Sequence, residues 1–235
     1  MSTSSKLAVA DLNPALLTGS IGAAVLYLAM VRVPPSRWRM VVKTASTALL
    51  SAVTAVRDGP LLLVGALALG SLGDAFLAWD DDGSFLAGLA SFLVAHLLYI
   101  GVFLQTNANY QEGIQAVLQS WRAAAAGGLI LLISGMIFIL MPRINTELRA
   151  PVVLYSLTIM VMALTALTLG NDRAVVGSLM FSASDGILAT DRFLVSPASS
   201  HRPWMQYAVW ILYYSGQLLI ALGVLPSDDA KITLI

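Results

Sequence analysis

The sequence predicts an all-α membrane protein: a polytopic bundle of eight transmembrane helices, arranged as a 4+4 parallel repeat. Three observations lead there. Of the 235 residues, 58% are apolar and only 11% are charged, against about 25% charged in a soluble domain. Apolar runs near the roughly 20 residues needed to cross a bilayer recur along the chain. Between them fall helix-breaking or turn-forming residues, where a multi-span chain requires them.

The first run, about 14–33, follows an N-terminal segment with one lysine and one aspartate, and reads as a retained span, since no small-residue cleavage pattern follows it. Pro34-Pro35 ends it, and the second run covers about 38–56. Asp58-Gly59-Pro60 separates that from the third, about 60–79, and the acidic turn Asp80-Asp81-Asp82-Gly83 separates the third from the fourth, about 83–104. The polar connection at about 105–120 is the longest and suits a short interfacial helix. The remaining runs, about 121–141, 149–169, 173–194 and 204–224, are divided by Pro142, Asn171-Asp172 and Pro197. With such short loops, residues 1–235 are expected to form one membrane domain of antiparallel neighbours.

Arginine and lysine counts favour both termini on the non-cytoplasmic side. Loops after odd-numbered spans hold Arg32, Arg37, Arg39, Arg143, Arg149, Arg192 and Arg202; the opposite face holds Lys6, Arg57, Arg122, Arg173 and Lys231. The halves echo one another: GSLGDAFLA (70–78) and SASDGILA (182–189) share a small residue, an aspartate and a Leu-Ala in the third span of each half. Spans three and seven run in the same direction, which makes the repeat parallel.

Thirteen basic and thirteen acidic residues cancel, leaving no polybasic face for nucleic acid. Without cysteine there is no thiolate chemistry, and two histidines cannot build a three-histidine zinc centre. No metal or other cofactor is expected. What remains are ionisable groups inside apolar spans, each costly unless used or satisfied. Counted by helical rise, Lys43 and Asp74 lie about 8 Å below one membrane face, and Asp185 about 8 to 14 Å below the same face. His96, about 20 Å from it, is expected to be deeper. Two carboxylates close together in a low dielectric titrate apart, offering an acid and a base together, as in pairs that break C–O bonds through oxocarbenium-like states. The plainer alternative is an ion pair between Lys43 and one aspartate, which leaves the other unaccounted for. His96, Tyr213, Tyr214 and Gln217 are candidate substrate contacts, against the alternative of interhelical hydrogen bonding.

Four blocks carry a family resemblance: LALGSLGDAFLAW (67–79), FLAGLASFLVAHLLYIGVF (85–103), GSLMFSASDGILATDRF (177–193) and YYSGQLLIALG (213–223), together with Lys43. In these the chain resembles the lysoplasmalogenases of the YhhN-like membrane protein family, from about residue 38 to 223. Lys43 is followed by Thr44 where the family pattern has Lys-Pro. The resemblance implies a membrane enzyme that hydrolyses the vinyl ether of lysoplasmalogens to a fatty aldehyde and a glycerophosphoethanolamine or glycerophosphocholine. Asp74 and Asp185 are then the catalytic acid and base in undecided order, and Lys43 binds the phosphate or tunes the pair. The partners are a lysophospholipid and the bilayer, in the endoplasmic reticulum for a eukaryotic source. The sequence does not specify an oligomeric state. The competing expectation is a proton-coupled transporter or channel that uses the same buried aspartates and lysine.

Overall fold

The computed structural model describes residues 3–107 and 109–225, with side chains from residue 13 onward. Among the described residues there are nine α-helices and no strand: α1 (Thr3–Met30), α2 (Arg37–Val56), α3 (Leu61–Phe76), α4 (Asp82–Thr106), α5 (Tyr110–Leu118), α6 (Trp121–Leu140), α7 (Thr146–Leu167), α8 (Asp172–Phe193) and α9 (Arg202–Val224). The short α5 occupies the polar connection at 105–120. Lys231, which entered the charge asymmetry, lies outside the described residues.

Local sequence accounts for the helix starts. Ser36, after the two prolines, accepts from the Arg39 amide at 3.2 Å, and Asp81 accepts from the Ser84 amide at 2.8 Å. The Asn171 side chain accepts from the amides of Arg173 and Ala174. Each satisfies an amide that the first helical turn leaves without a partner. At the other end of α7, the buried Arg122 donates to the carbonyls of Leu167 at 2.9 Å and Leu169 at 2.6 Å, and to Asp172 at 2.6 Å. A cation there complements the helix dipole and ties α6 to the α7–α8 turn.

Among the described residues, five helices are long and apolar enough to cross a membrane: Asn13–Met30 of α1, α4, α6, α7 and α9. The other three predicted spans fall short for physical reasons. At 16 residues, α3 is about 24 Å long against a hydrocarbon core of about 30 Å. Charged and hydroxyl side chains lower the hydropathy of α2 and α8, and these are the helices that hold Lys43 and Asp185.

The helices close into a ring. Neighbours in sequence pack together from α1 to α4; α4 then packs on α7, α7 on α8, and α8 most extensively on α9, which returns to α2 and α1. Outside the ring, α6 packs on α7 and touches α8, with most of its surface exposed. Serines stitch the neighbours: Ser71 donates to the Thr44 carbonyl at 3.1 Å, Ser91 to Leu69 at 2.7 Å and Ser184 to Val209 at 2.9 Å. Such bonds satisfy polar groups where water is absent.

At their crossing, α8 and α9 meet backbone to backbone. A Cβ built on Gly177 would lie 2.7 Å from the Gly216 carbonyl oxygen and 2.8 Å from the Ile220 nitrogen, and one on Gly216 would lie 2.7 Å from the Gly177 oxygen. Main-chain atoms cannot yield as a side chain can. Gly177→Ala is therefore expected to lower thermal stability in detergent, by about 1–3 kcal/mol for overpacking. Gly135→Ala, where an added Cβ meets nothing within 4 Å, is expected to be neutral or stabilising by up to about 1 kcal/mol from helix propensity. Equal melting temperatures for the two variants would contradict the close crossing.

Candidate active site

Asp74 stands near the end of α3, 1% exposed, on a buried stripe with Ala66, Gly70 and Ala78. One carboxylate oxygen, Oδ1, faces the Lys43 Nζ at 3.3 Å. The other, Oδ2, accepts from the Thr47 hydroxyl at 2.9 Å and the Tyr213 hydroxyl at 2.8 Å. Lys43 and Thr47 are four residues apart on α2 and so share a face; Tyr213 comes from α9. Gly70 makes room for the α9 groups: its absent Cβ would lie 3.0 Å from the Gln217 Nε2 and 3.4 Å from the Tyr213 hydroxyl.

Asp185 is half-buried on α8. Its Oδ2 accepts from the Tyr155 hydroxyl of α7 at 3.2 Å, and the Nε2 of His96, from α4, lies 3.4 Å from the same oxygen. His96 is fully buried, and its Nδ1 is 2.5 Å from the Phe92 carbonyl oxygen. A carbonyl can only accept, so Nδ1 carries a proton there. Nε2 makes no hydrogen bond of its own and faces the carboxylate.

The two clusters flank an aromatic partition. Phe181 packs edge-on against Tyr213 at 5.3 Å between ring centres and lies 4.7 Å from the His96 ring; Phe92 packs edge-on against both Phe181 and Tyr213. Both aspartates line one cavity of about 180 Å³. Its other walls include Lys43, Tyr213 and, at the end where α3 meets α4 and α8 meets α9, Trp79, Asp80 and Arg202. A second, apolar cavity of about 730 Å³ lies among α4, α6, α7 and α8, lined by Leu129, Met136, Ile159 and Leu179 among others. The two cavities share Leu77, Phe85, Phe92, Leu188 and Asp185, so Asp185 stands where polar and apolar spaces join.

The structure thus brings Lys43, Asp74 and Tyr213 together, and Asp185 to the same cavity. His96, counted as deeper, still reaches the Asp185 carboxylate, 3.4 Å from its Nε2. Counting rise along straight helices ignores helix tilt and side-chain reach. Gln217 accepts from the Tyr99 hydroxyl and leaves its buried Nε2 without a partner, beside Gly70 but outside both cavity walls. Tyr214 is turned away: its hydroxyl pairs with Ser20 of α1 at 2.7 Å and its ring stacks on Trp210. Sequence reasoning missed Thr47 and Tyr155. The four-residue step from Lys43 pointed to Thr47; no periodic signal marks Tyr155.

Comparison with known proteins adds to the geometry. Lysoplasmalogenase TMEM86B of Homo sapiens is 33% identical over 171 residues, 72% of this chain and 66% of the relative. Lysoplasmalogenase of Mycobacterium tuberculosis is 31% identical over 167 residues, 68% and 59% of the two chains, and Lysoplasmalogenase TMEM86A of Bos taurus is 28% identical over 174 residues, 69% and 65%. The chain therefore spans just under two thirds of the length of these relatives. No solved structure matches. The side chains around both aspartates, from Lys43 to Gln217, fall within residues 38–224, which match the YhhN family over most of the chain, and the protein belongs to that family.

Proposed function

We propose that the protein is a lysoplasmalogenase, a hydrolase of the vinyl ether in 1-alkenyl lysophospholipids, and that Asp74 and Asp185 are its catalytic carboxylates. The observation that carries this is the shared cavity, in which two carboxylates from α3 and α8 face one polar space that opens at Asp185 into an apolar one. The names of the relatives point the same way.

The two carboxylates differ in their partners. Asp74 is surrounded by donors, an ammonium and two hydroxyls, an environment that suits the ionised form. Between Asp185 and His96, Nδ1 is committed to the Phe92 carbonyl, so a proton on the Nε2 to Oδ2 line removes the repulsion between two lone pairs. The Asp185–His96 pair is then the acid. It delivers a proton to the alkene carbon β to the ether oxygen, and the alkene electrons form the new C–H bond, leaving an oxocarbenium ion. Asp74 stabilises that cation and accepts a proton from the water that attacks it. The resulting hemiacetal then collapses: Asp74 returns its proton to the glycerol oxygen, which leaves as the alcohol, while the hemiacetal hydroxyl gives its proton to the Asp185–His96 pair, yielding a fatty aldehyde and the glycerophospho head group and restoring both acids. The alkenyl tail occupies the apolar cavity beside α6.

The same arrangement supports the eight-span, 4+4 reading. Asp74 is contacted from α2 and α9, the second helix of its own half and the last of the other; Asp185 is contacted from α7 and α4, the corresponding pair. In this reading α1 and α6 are the first helices of their halves, α2, α3 and α8 also cross, and the chain is one membrane unit, in the endoplasmic reticulum for a eukaryotic source.

Purified protein in detergent is expected to release aldehyde from 1-alkenyl lysophospholipids and no fatty acid from 1-acyl ones; fatty acid release would mean an esterase, and neither product would sink the hydrolase reading. Asp74→Asn and Asp185→Asn should each lower kcat by about 10²–10⁴, the usual share of acid–base catalysis, and Asp74→Asn should also lower the melting temperature, because it leaves Lys43 buried without its counter-ion. Full activity in either variant contradicts its assigned role. Gly186 lines the apolar cavity, and a Cβ added there meets nothing within 4 Å. Gly186→Leu should fold normally yet disfavour long alkenyl chains relative to short ones by about tenfold in kcat/KM, the low end of what pocket-size discrimination achieves. An unchanged chain-length profile would place the tail elsewhere.

A further inference from the structure

Four cations line the polar cavity, Arg39, Lys43, Arg192 and Arg202, and three are already committed to carboxylates. Lys43 is held by Asp74, Arg192 by Asp82 at 2.5 Å, and Arg202 by both oxygens of Asp191 at 2.8 and 3.1 Å. Arg39 differs. Its Nη1 donates only to the Ala78 carbonyl, at a long 3.4 Å, and its Nε is buried without any partner. Among the described residues it has no carboxylate within ion-pair distance. A guanidinium that is partly desolvated yet unmatched is a costly arrangement for structure alone, and its donor fork suits a phosphate.

The same cavity holds an unmatched anion. Asp80 lies on the wall, exposed to solvent, with no cation within ion-pair distance among the described residues; the nearby Arg202 feels its charge but is held by both oxygens of Asp191. Beside it Trp79, 37% exposed, presents an aromatic surface to the cavity.

We propose that Arg39 and Asp80 form a head-group site for a zwitterionic phosphodiester, with the guanidinium holding the phosphate and the Asp80 carboxylate, assisted by the Trp79 ring, holding the ammonium or trimethylammonium. The proposal rests on the lysoplasmalogenase reading for the identity of the lipid. It also gives Lys43 a different task from Arg39: Lys43 is occupied by Asp74, and the phosphate is left to the residue one turn nearer the mouth. That turn is about 6 Å of helix rise. In the substrate, five covalent bonds separate the vinyl ether oxygen from phosphorus, also about 6 Å when extended. A phosphate on Arg39 therefore leaves the ether beside the Lys43–Asp74 pair. Cation–π attraction favours an alkylated ammonium over an aromatic face.

Saturated 1-alkyl ethers, which have no vinyl group to hydrolyse, test this site apart from the chemistry. Three are compared: 1-alkyl glycerophosphocholine, 1-alkyl glycerophosphate and 1-alkyl glycerol, with affinity read from tryptophan fluorescence of the detergent-solubilised full chain. Arg39→Gln is expected to weaken both phosphate-bearing ethers about tenfold or more, the range for a lost charge-assisted hydrogen bond, and to move the glycerol ether less than about twofold. Asp80→Asn is expected to weaken the phosphocholine ether and leave the glycerophosphate unchanged or tighter. Equal shifts of all three ligands in Arg39→Gln, or no shift in any, overturn the phosphate assignment; an Asp80→Asn variant that ignores the ammonium overturns the other half. Head-group discrimination without aldehyde release would remove the hydrolase and keep the site. Aldehyde release without discrimination would do the reverse.

Discussion

Burial of the Asp74 carboxylate is the constraint on which the rest of the bundle turns. An ionised group in an apolar interior costs several kcal/mol unless other groups replace its water. Here three do, and they come from two different helices, with Lys43 and Thr47 from α2 and Tyr213 from α9. Those bonds fix the rotation of α2, α3 and α9 about their axes and bring the end of the chain back to its beginning. Gly70 is part of the same solution, because a Cβ there would crowd the Gln217 Nε2 at 3.0 Å and touch the Tyr213 hydroxyl at 3.4 Å. Ser20, joined to both the Ser46 carbonyl and Tyr214, then seats α1 against the closure.

Asp185 repeats the plan with different chemistry. Each aspartate is approached by the helix before it and by one helix from the other half of the chain, so the halves hold each other through their acids. The ligands differ: an ammonium and two hydroxyls around Asp74, an imidazole and a phenol around Asp185. A pair with identical surroundings would have little basis for dividing the work of donating and accepting a proton. Unequal surroundings on one cavity are what the proposed division requires, and Phe181 packs against both Tyr213 and His96, between the two clusters.

Much of this was legible in the sequence, because the signals were local. Prolines, the Asp58-Gly59-Pro60 turn, the acidic turn Asp80-Asp81-Asp82-Gly83 and Asn171-Asp172 mark helix ends, and the polar stretch at 105–120 marks α5. Lys43 and Asp74 could be placed level because each lies near an end of its helix, where a rise count accumulates little error. His96 sits mid-helix, where tilt and side-chain length dominate, and its partner was not legible. Neither was Tyr214: neighbouring residues on a helix point about 100° apart, so Tyr213 facing Asp74 turns Tyr214 toward α1. The place of α6 outside the ring was hidden as well. A helix apolar all round has no stripe to say which side faces protein.

The outlying position of α6 lets one molecule present a polar mouth and an apolar chamber side by side. Serine bonds and a backbone crossing tie α1 to α2, α2 to α3, α3 to α4 and α8 to α9, which holds these helices against one another. By contrast, α6 has a mostly exposed surface and packs chiefly on α7, and residues such as Leu129 and Met136 contribute only apolar contacts to the chamber wall. Apolar contacts between helices are readily exchanged for contacts with lipid tails, which are as apolar as leucine. On the proposed reading, a single-chain amphiphile lies against this wall with its head group at the polar mouth, and the bond between them sits in the cavity that both aspartates line.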